Sequence, residues 1–177
     1  MAERAPLSIV PEVPLGKLVL RGDRDVATTA EAALGWALPD RLNRATAGDD
    51  GRALRLGPDE YLLLLAPTTV DPTRDALARA LAGRHHALVD LSARLVAIEI
   101  SGAAARDTLA AACPLDLHPS ALGPEQATRT VFGKAEIILD CLDEARLRLL
   151  TNRSFASYVR RLLAEAGREF GIDHAAE

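Results

Sequence analysis

Residues 89–117 decide the fold of this chain, and their sequence is VDLSARLVAIEISGAAARDTLAAACPLDL. Apolar side chains alternate along residues 95–100, which is the two-residue period of a β-strand. Ser101-Gly102 interrupts that strand, and the alanine-rich residues 103–112 favour a helix that must end before Pro114. A strand that leads directly into a helix indicates an α+β domain.

The residues on either side of this stretch predict two halves with a similar order of elements. Before it, we expect strands at 17–21, 52–56, 61–66 and 87–91, helices after Asp23 or Asp25 and from Asp71-Pro72, and a loop at 39–51. After it, we expect strands at 128–132, 134–140 and 145–150, then a helix capped by Asn152 that runs from 153 to about 168. The predicted fold class is α+β: two ferredoxin-like βαβ-type halves with mainly antiparallel sheets covered by helices.

The ends of the chain lack the periodicity of the middle. Residues 1–15 carry three prolines, so we expect an extended N-terminal arm, either disordered or laid along another surface. Residues 16–171 are expected to form a single domain made of two halves, 16–92 and 93–171. We expect residues 172–177 to be a frayed tail.

Charge and composition exclude several classes of protein. The net charge of −4 argues against non-specific binding to nucleic acid or to an anionic membrane. The first residues lack the apolar segment of a signal peptide, and no apolar run approaches the roughly 20 residues of a membrane span. Cys113 and Cys141 form no metal motif, so we expect reduced thiols in a cytoplasmic protein.

Glu136 and Asp140 are the strongest candidates for acid/base chemistry. Four positions apart on one strand, they are separated by roughly 13 Å, whereas paired-carboxylate hydrolysis needs about 5 to 9.5 Å. A three-residue loop at 142–144 would place Asp140 opposite Arg146. We therefore expect Asp140 to form a structural cross-strand ion pair.

Other reactive side chains have no supporting context. His85-His86 enters a strand with the two rings on opposite faces, and His118 and His174 are isolated. Ser101-Gly102 suits a helix entry, and Ser92 lacks the GxSxG context of a nucleophile. The sequence contains neither GxGxxG nor GxxxxGK[ST]. We therefore predict no catalytic, cofactor-binding or metal-binding residue.

Arginines flank the apolar stripe that we predict for the last helix. The ordinary interpretation is a solvated helix flank, and the sharper one is a partner-contact surface, where arginine is favoured. The candidate subunit contacts are Arg153, Arg160 and Arg161. The stripe itself should face the core of this chain, and it comprises Phe155, Val159, Leu162, Leu163, Ala166 and Phe170.

Six segments, taken in order, resemble the gamma subunit family of heterotetrameric sarcosine oxidase. They are LGWALP (34–39), LGPDEYLL (56–63), VDLS (89–92), CPLDL (113–117), RTVFGKA (129–135) and RSFASYV (153–159). That family in turn resembles the N-terminal part of glycine-cleavage aminomethyltransferases, which implies a fold like their folate-binding domain. Glu136 lies near the position of their catalytic carboxylate, where an aspartate is expected.

The resemblance implies a non-catalytic gamma subunit of an oxidoreductase complex of sarcosine catabolism. Such a complex oxidatively demethylates sarcosine to glycine, forms hydrogen peroxide and passes the one-carbon unit to tetrahydrofolate. The resemblance also implies that FAD, FMN, NAD and the folate site lie on the alpha and beta subunits and that zinc lies on the delta subunit. It implies no cofactor on this chain. Two alternatives stay open: a free-standing folate-binding protein of the aminomethyltransferase superfamily, or the gamma subunit of a related N-methyl amino acid dehydrogenase.

Overall fold

The computed structural model describes the backbone of residues 7–174 and the side chains of residues 7–171. The described residues divide into two compact units. The first unit comprises residues 14–93, and the second comprises residues 7–13 and 94–174.

The strands and helices are numbered here in chain order. The strands are β1 (Leu7–Val13), β2 (Gly16–Arg21), β3 (Ala45–Gly48), β4 (Gly51–Gly57), β5 (Glu60–Leu65), β6 (Ala87–Asp90), β7 (Leu95–Ser101), β8 (Ala127–Phe132), β9 (Ala135–Cys141), β10 (Arg146–Asn152) and β11 (Ile172–His174). The α-helices are α1 (Arg24–Leu34), α2 (Val70–Ala80), α3 (Ala105–Ala110) and α4 (Ala156–Ala166). Short 3-10 turns precede α2 and α4 at Pro67–Thr69 and Arg153–Phe155, and a third follows α4 at Arg168–Phe170.

The first unit is an antiparallel sheet of order β3-β4-β5-β2-β6 with α1 and α2 packed on it. Its core joins sheet residues such as Leu20 and Leu63 to Val26 of α1 and Leu77 of α2. Helix α1 begins as expected, because the Asp23 carboxylate accepts a hydrogen bond from the backbone N–H of Val26 at 3.0 Å.

Two boundaries in the first unit differ from expectation. The expected loop at 39–51 contains strand β3, which pairs with β4. Helix α2 begins at Val70, after a 3-10 turn, and Thr69 precedes it without a side-chain cap. Pro72 fits inside the first turn because the N–H groups there have no partner within the helix.

The second unit is a sheet of order β11-β1-β7-β10-β9-β8, and every pair in it is antiparallel except β1 with β11. One face packs against α3 and α4, with Leu109, Val159 and Leu163 fully buried against sheet residues such as Ile98. Two antiparallel-rich sheets with helices confirm the predicted α+β fold class. Among the described residues, no helix is both long enough and apolar enough to cross a membrane.

Residues 7–13 of the expected extended arm belong to the sheet of the second unit. They form β1, in which Leu7 is fully buried and Ile9 pairs with Ile100. Pro11 is tolerated because the register with β7 shifts between Val10 and Val13, and proline is compatible with such a bulge. Residues 172–174 of the expected frayed tail pair with β1 as β11. Residues 1–6 and 175–177 lie outside the described part of the chain.

The last helix also differs from the expectation, in its first residue, in its cap and in the burial of its apolar stripe. Helix α4 spans Ala156–Ala166, and Asn152 makes no capping hydrogen bond. Its side-chain oxygen instead accepts a hydrogen bond from Arg94 Nε at 3.1 Å. Val159 and Leu163 of the predicted apolar stripe are buried, but Phe155 is 41% exposed, because it lies in the 3-10 turn before the helix.

Candidate functional site

Asp140 pairs with Arg148, and the expected pairing with Arg146 is wrong. The register places Cys141 opposite Leu147, and the loop between β9 and β10 comprises residues 142–145 rather than 142–144. A shift of two residues keeps every side chain on its face, so the pattern of apolar residues does not distinguish the two registers. Arg146 instead contacts Asp143 at 2.7 Å within the loop, and its guanidinium holds the pKa of Asp143 below the usual value.

Arg148 lies between two carboxylates on neighbouring strands. Its Nη2 is 2.7 Å from Glu99 Oε1 on β7, and its Nη1 is 3.5 Å from Asp140 Oδ2 on β9. The Asp140 side chain is fully buried, and the Arg148 side chain is 12% exposed. The cluster therefore links β7, β10 and β9. Sequence reasoning missed Glu99, since its place opposite Arg148 depends on pairing between strands far apart in the chain.

Glu136 stands apart from this cluster. It is exposed and faces Val131 across the β8–β9 hairpin. Four positions separate it from Asp140, which corresponds to roughly 13 Å along a strand. The two carboxylates therefore do not form a close acid/base pair, and the absence of catalytic residues stays a prediction.

The histidines and cysteines lie in separate local environments. His86 Nδ1 is 2.9 Å from the carbonyl oxygen of Arg84, and His118 Nδ1 is 2.7 Å from Ser120 Oγ. Both cysteines are buried, and neither forms a disulfide within the described residues. Within the described part of the chain, no group of three or more His, Cys, Asp or Glu residues could hold a metal ion.

Ser92 is part of a turn at the end of β6. Its hydroxyl accepts a hydrogen bond from the backbone N–H of Lys17 at 2.9 Å, and its own N–H donates to Asp90 Oδ1 at 2.8 Å. Hydrogen bonding of the Asp90 carboxylate to the Ser92 side chain, and next to the Ser92 backbone N–H, holds the pKa of Asp90 below its usual value. A hydroxyl engaged in this way fastens β2 to β6 and is not arranged as a nucleophile. Ser101 ends β7, and Gly102 begins a turn into α3, because the Ala105 N–H donates to the carbonyl of Gly102 at 3.1 Å.

Two of the three candidate contact arginines bind this chain's own N-terminal strand. Arg160 Nη2 lies 2.9 Å from Glu12 Oε2, and Arg160 Nε donates to the carbonyl of Pro11 at 2.8 Å. Arg153 Nη2 lies 3.6 Å from the other Glu12 oxygen. Arg153 in the 3-10 turn and Arg160 on α4 therefore reach the two oxygens of the same carboxylate.

Arg161 differs from its neighbour because successive helical residues are rotated by about 100°. It is exposed on α4, and within residues 7–171 the structure forms no ion pair at its side chain. Phe155 and Tyr158 lie on the remaining side of α4 and are 41% and 38% exposed. The helix therefore presents a flank tied to β1, an exposed ridge with Arg161, and an aromatic flank.

The family model and the related sequences indicate the same family. The model of the "Sarcosine oxidase, gamma subunit family" matches residues 21–169. The sarcosine oxidase subunit gamma of Arthrobacter sp. is 35% identical over 140 residues, which cover 78% of this chain and 68% of that protein. Its counterpart from Corynebacterium sp. (strain P-1) is 32% identical over 163 residues, covering 92% of this chain and 79% of that protein.

Solved structures show the same relationship in three dimensions. A chain of the heterotetrameric sarcosine oxidase from Corynebacterium sp. U-96, in complex with pyrrole 2-carboxylate, superposes with a TM-score of 0.87 at 30% identity. The match covers 99% of this chain and 89% of that one. Glycine cleavage system aminomethyltransferase T from Bartonella henselae matches with a TM-score of 0.71 at 16% identity, over 97% of this chain and 48% of that one. That second likeness shows the fold alone.

Proposed function

Because this chain belongs to the sarcosine oxidase gamma subunit family, we propose that it is the non-catalytic gamma subunit of a heterotetrameric enzyme that oxidatively demethylates sarcosine to glycine. The observation that carries the proposal is the match to a chain of a heterotetrameric sarcosine oxidase over 99% of this chain and 89% of that one. A match of this extent leaves no large part of either chain without a counterpart. The match therefore extends over most of one chain of such an assembly.

The chemistry belongs to the partner subunits in this proposal. FAD, FMN, NAD and the tetrahydrofolate site lie on the alpha and beta subunits, and zinc lies on the delta subunit. The absence of glycine-rich phosphate-binding motifs from this sequence supports that division. Hydrogen peroxide formation and transfer of the one-carbon unit to tetrahydrofolate are then properties of the complex. Two buried thiols that form no disulfide suit a cytoplasmic location for it.

The surface of α4 is the proposed place of subunit contact, with Arg153, Arg160 and Arg161 as its candidate residues. Arg161 is the sharpest probe, since it is exposed and makes no ion pair within residues 7–171. Arg153 and Arg160 also hold Glu12. Replacing them with glutamate would place three carboxylates together and disturb β1, so a failure to assemble would be ambiguous. Arg161→Glu avoids this difficulty.

Co-expression with the alpha, beta and delta subunits of a related heterotetrameric sarcosine oxidase tests the proposal. A tagged copy of this chain should bring down the other three subunits in equal amounts, with flavin absorbance between 350 and 500 nm. The isolated chain should show no such absorbance and no bound zinc. A chain that elutes alone from the co-expressing cells would overturn the assignment.

A second candidate is a free-standing folate-binding protein, and the likeness to aminomethyltransferase T favours it. The match covers only 48% of that structure. The part of aminomethyltransferase T without a counterpart here would therefore have to be dispensable for folate binding. Calorimetric titration of the isolated chain with tetrahydrofolate distinguishes the two candidates. Turnover of the complex with a panel of N-methyl amino acids separates sarcosine oxidase from a related dehydrogenase.

A further inference from the structure

The aromatic flank of α4 is unusual for this chain. The sequence has three Phe, two Tyr and one Trp, and Phe132 and Tyr61 are buried at 0% and 5% exposure. Phe155 and Tyr158 are 41% and 38% exposed. Phe155 ends the 3-10 turn before α4, and Tyr158 follows it by three residues in the first turn of α4, a spacing that makes their side chains neighbours. Two of the few aromatic rings are therefore placed together at the surface.

The Tyr158 ring is held in place by the turn between β8 and β9. Its hydroxyl accepts a hydrogen bond from the backbone N–H of Lys134 at 3.1 Å. Gly133 has a φ of 59°, and a Cβ on it would overlap Tyr158 Oη and lie 2.7 Å from Leu162 Cδ2. A ring fixed before binding loses little conformational entropy when a partner covers it.

Positive charge borders the aromatic flank. Arg161 follows Tyr158 by three residues, and Lys134 is the turn residue whose N–H reaches the Tyr158 hydroxyl. Within residues 7–171, neither cation forms an ion pair. Glu165, one turn beyond Arg161, is paired with Arg168 at 2.8 Å. A pair of aromatic rings with an arginine and a polar rim has the composition of an interface hot spot.

We propose that Phe155 and Tyr158, with Arg161 and Lys134 at their border, form the docking site for a segment of a partner subunit that has an apolar centre and acidic flanks. This inference rests on the proposed function, and it names the chemistry of the partner at the α4 surface. The partner's apolar side chain packs on the two rings, and its carboxylates meet the two cations. A second copy of this chain fits less well, because a two-fold contact would bring the same positive borders together.

Reconstitution of the heterotetramer with surface variants tests the proposal. The other three subunits, prepared together without this chain, are titrated with wild type, Phe155→Glu, Arg161→Glu and Leu42→Glu. Leu42 is the matched control, because it is an apolar side chain of the first unit with 51% exposure. Phe155→Glu should weaken assembly by about 30-fold or more, the fold-change of a hot spot worth about 2 kcal/mol. Arg161→Glu should weaken it by a smaller factor and reduce its dependence on salt.

Hydrogen exchange supplies a readout that needs no variant. Amides of residues 153–162 in the wild-type chain should gain protection when the heterotetramer forms. The docking site would be overturned if both Phe155→Glu and Arg161→Glu assembled fully and amides 153–162 of the wild-type chain gained no protection. Assembly of the wild-type chain would still support the gamma-subunit assignment in that case. Failure of the wild-type chain itself to assemble would overturn both. Loss of assembly by Leu42→Glu to the same extent would also overturn the docking site, since the effect would not be specific to α4.

Discussion

Glu12 and Arg160 connect the first and last parts of the second unit across 148 residues of sequence, with Arg160 Nη2 2.9 Å from Glu12 Oε2. The same guanidinium holds the carbonyl of Pro11, and Arg153 approaches the other Glu12 oxygen. The irregular part of β1 is therefore fastened by side chains of the α4 region where its ladder with β7 shifts register. A proline-containing segment becomes part of the sheet in this way.

The first prediction concerns this contact. Glu12→Gln should lower the free energy of unfolding by no more than about 1 kcal/mol, because both side chains are partly exposed and solvent screens the pair. Amide exchange in β1 near Glu12 should accelerate by more than the change in the global free energy of unfolding explains. Glu165→Gln removes the pair between α4 and Arg168 of the 3-10 turn after it, and is the control. Unchanged exchange in β1 of Glu12→Gln would show that the contact does not hold the strand.

The second prediction concerns the buried cluster. Arg148→Met should lower the free energy of unfolding by about 3 to 5 kcal/mol, because it leaves Glu99 and Asp140 without their shared cation. Arg146→Met, two residues earlier on the same face of β10, removes only a pair whose side chains are 56% and 48% exposed. That control should lose no more than about 1 kcal/mol. Equal losses measured by urea unfolding would contradict the pairing of Arg148 in this register.

The third prediction concerns Arg106 on α3, which holds the long loop before β8. Its Nη1 lies 2.9 Å from the carbonyl oxygen of Leu122 and also contacts the carbonyl of Leu117, and its Nε donates to the backbone carbonyl of Glu144. Arg106→Lys keeps the charge but loses the planar fork of donors. We expect a loss of about 1 to 3 kcal/mol.

The same Arg106→Lys variant should show faster amide exchange between residues 117 and 122. Arg79→Lys, an exposed arginine of α2, is the control and should change neither quantity. If amide exchange between residues 117 and 122 were as slow in Arg106→Lys as in the wild type, Arg106 would not be holding this loop.

The fourth prediction concerns the contribution of Asp90 to stability at low pH. Hydrogen bonds from Ser92 lower the pKa of Asp90 from its usual 3.8. Because the folded-state pKa lies below the unfolded value, the stabilisation by Asp90 is complete above the unfolded value. It is lost as the pH falls through the folded pKa.

Carboxyl NMR titration of Asp90 measures this effect. Ser92→Ala should raise the pKa of Asp90 toward 3.8, because the hydroxyl hydrogen bond is the largest cause of the shift, whereas Ser120→Ala in the second unit should leave it unchanged. An Asp90 pKa that stays equally low in Ser92→Ala would assign the shift to the backbone N–H alone.

The sequence by itself determined the fold class, most of the elements and the face that each side chain takes. The alternation in residues 95–100, the cap at Asp23 and the apolar spacing of Val159 and Leu163 are local patterns. Periodicity and capping depend on neighbours a few residues away, so a single sequence contains the information.

The tertiary structure alone decided which partners those faces meet. A β9–β10 register shifted by two residues keeps the same faces, so only the folded loop pairs Asp140 with Arg148 instead of Arg146. The pairing of β1 with β7, and the capture of Glu12 by Arg160, join residues that are far apart in the chain. Such contacts arise from packing among several elements at once, and no local pattern records them.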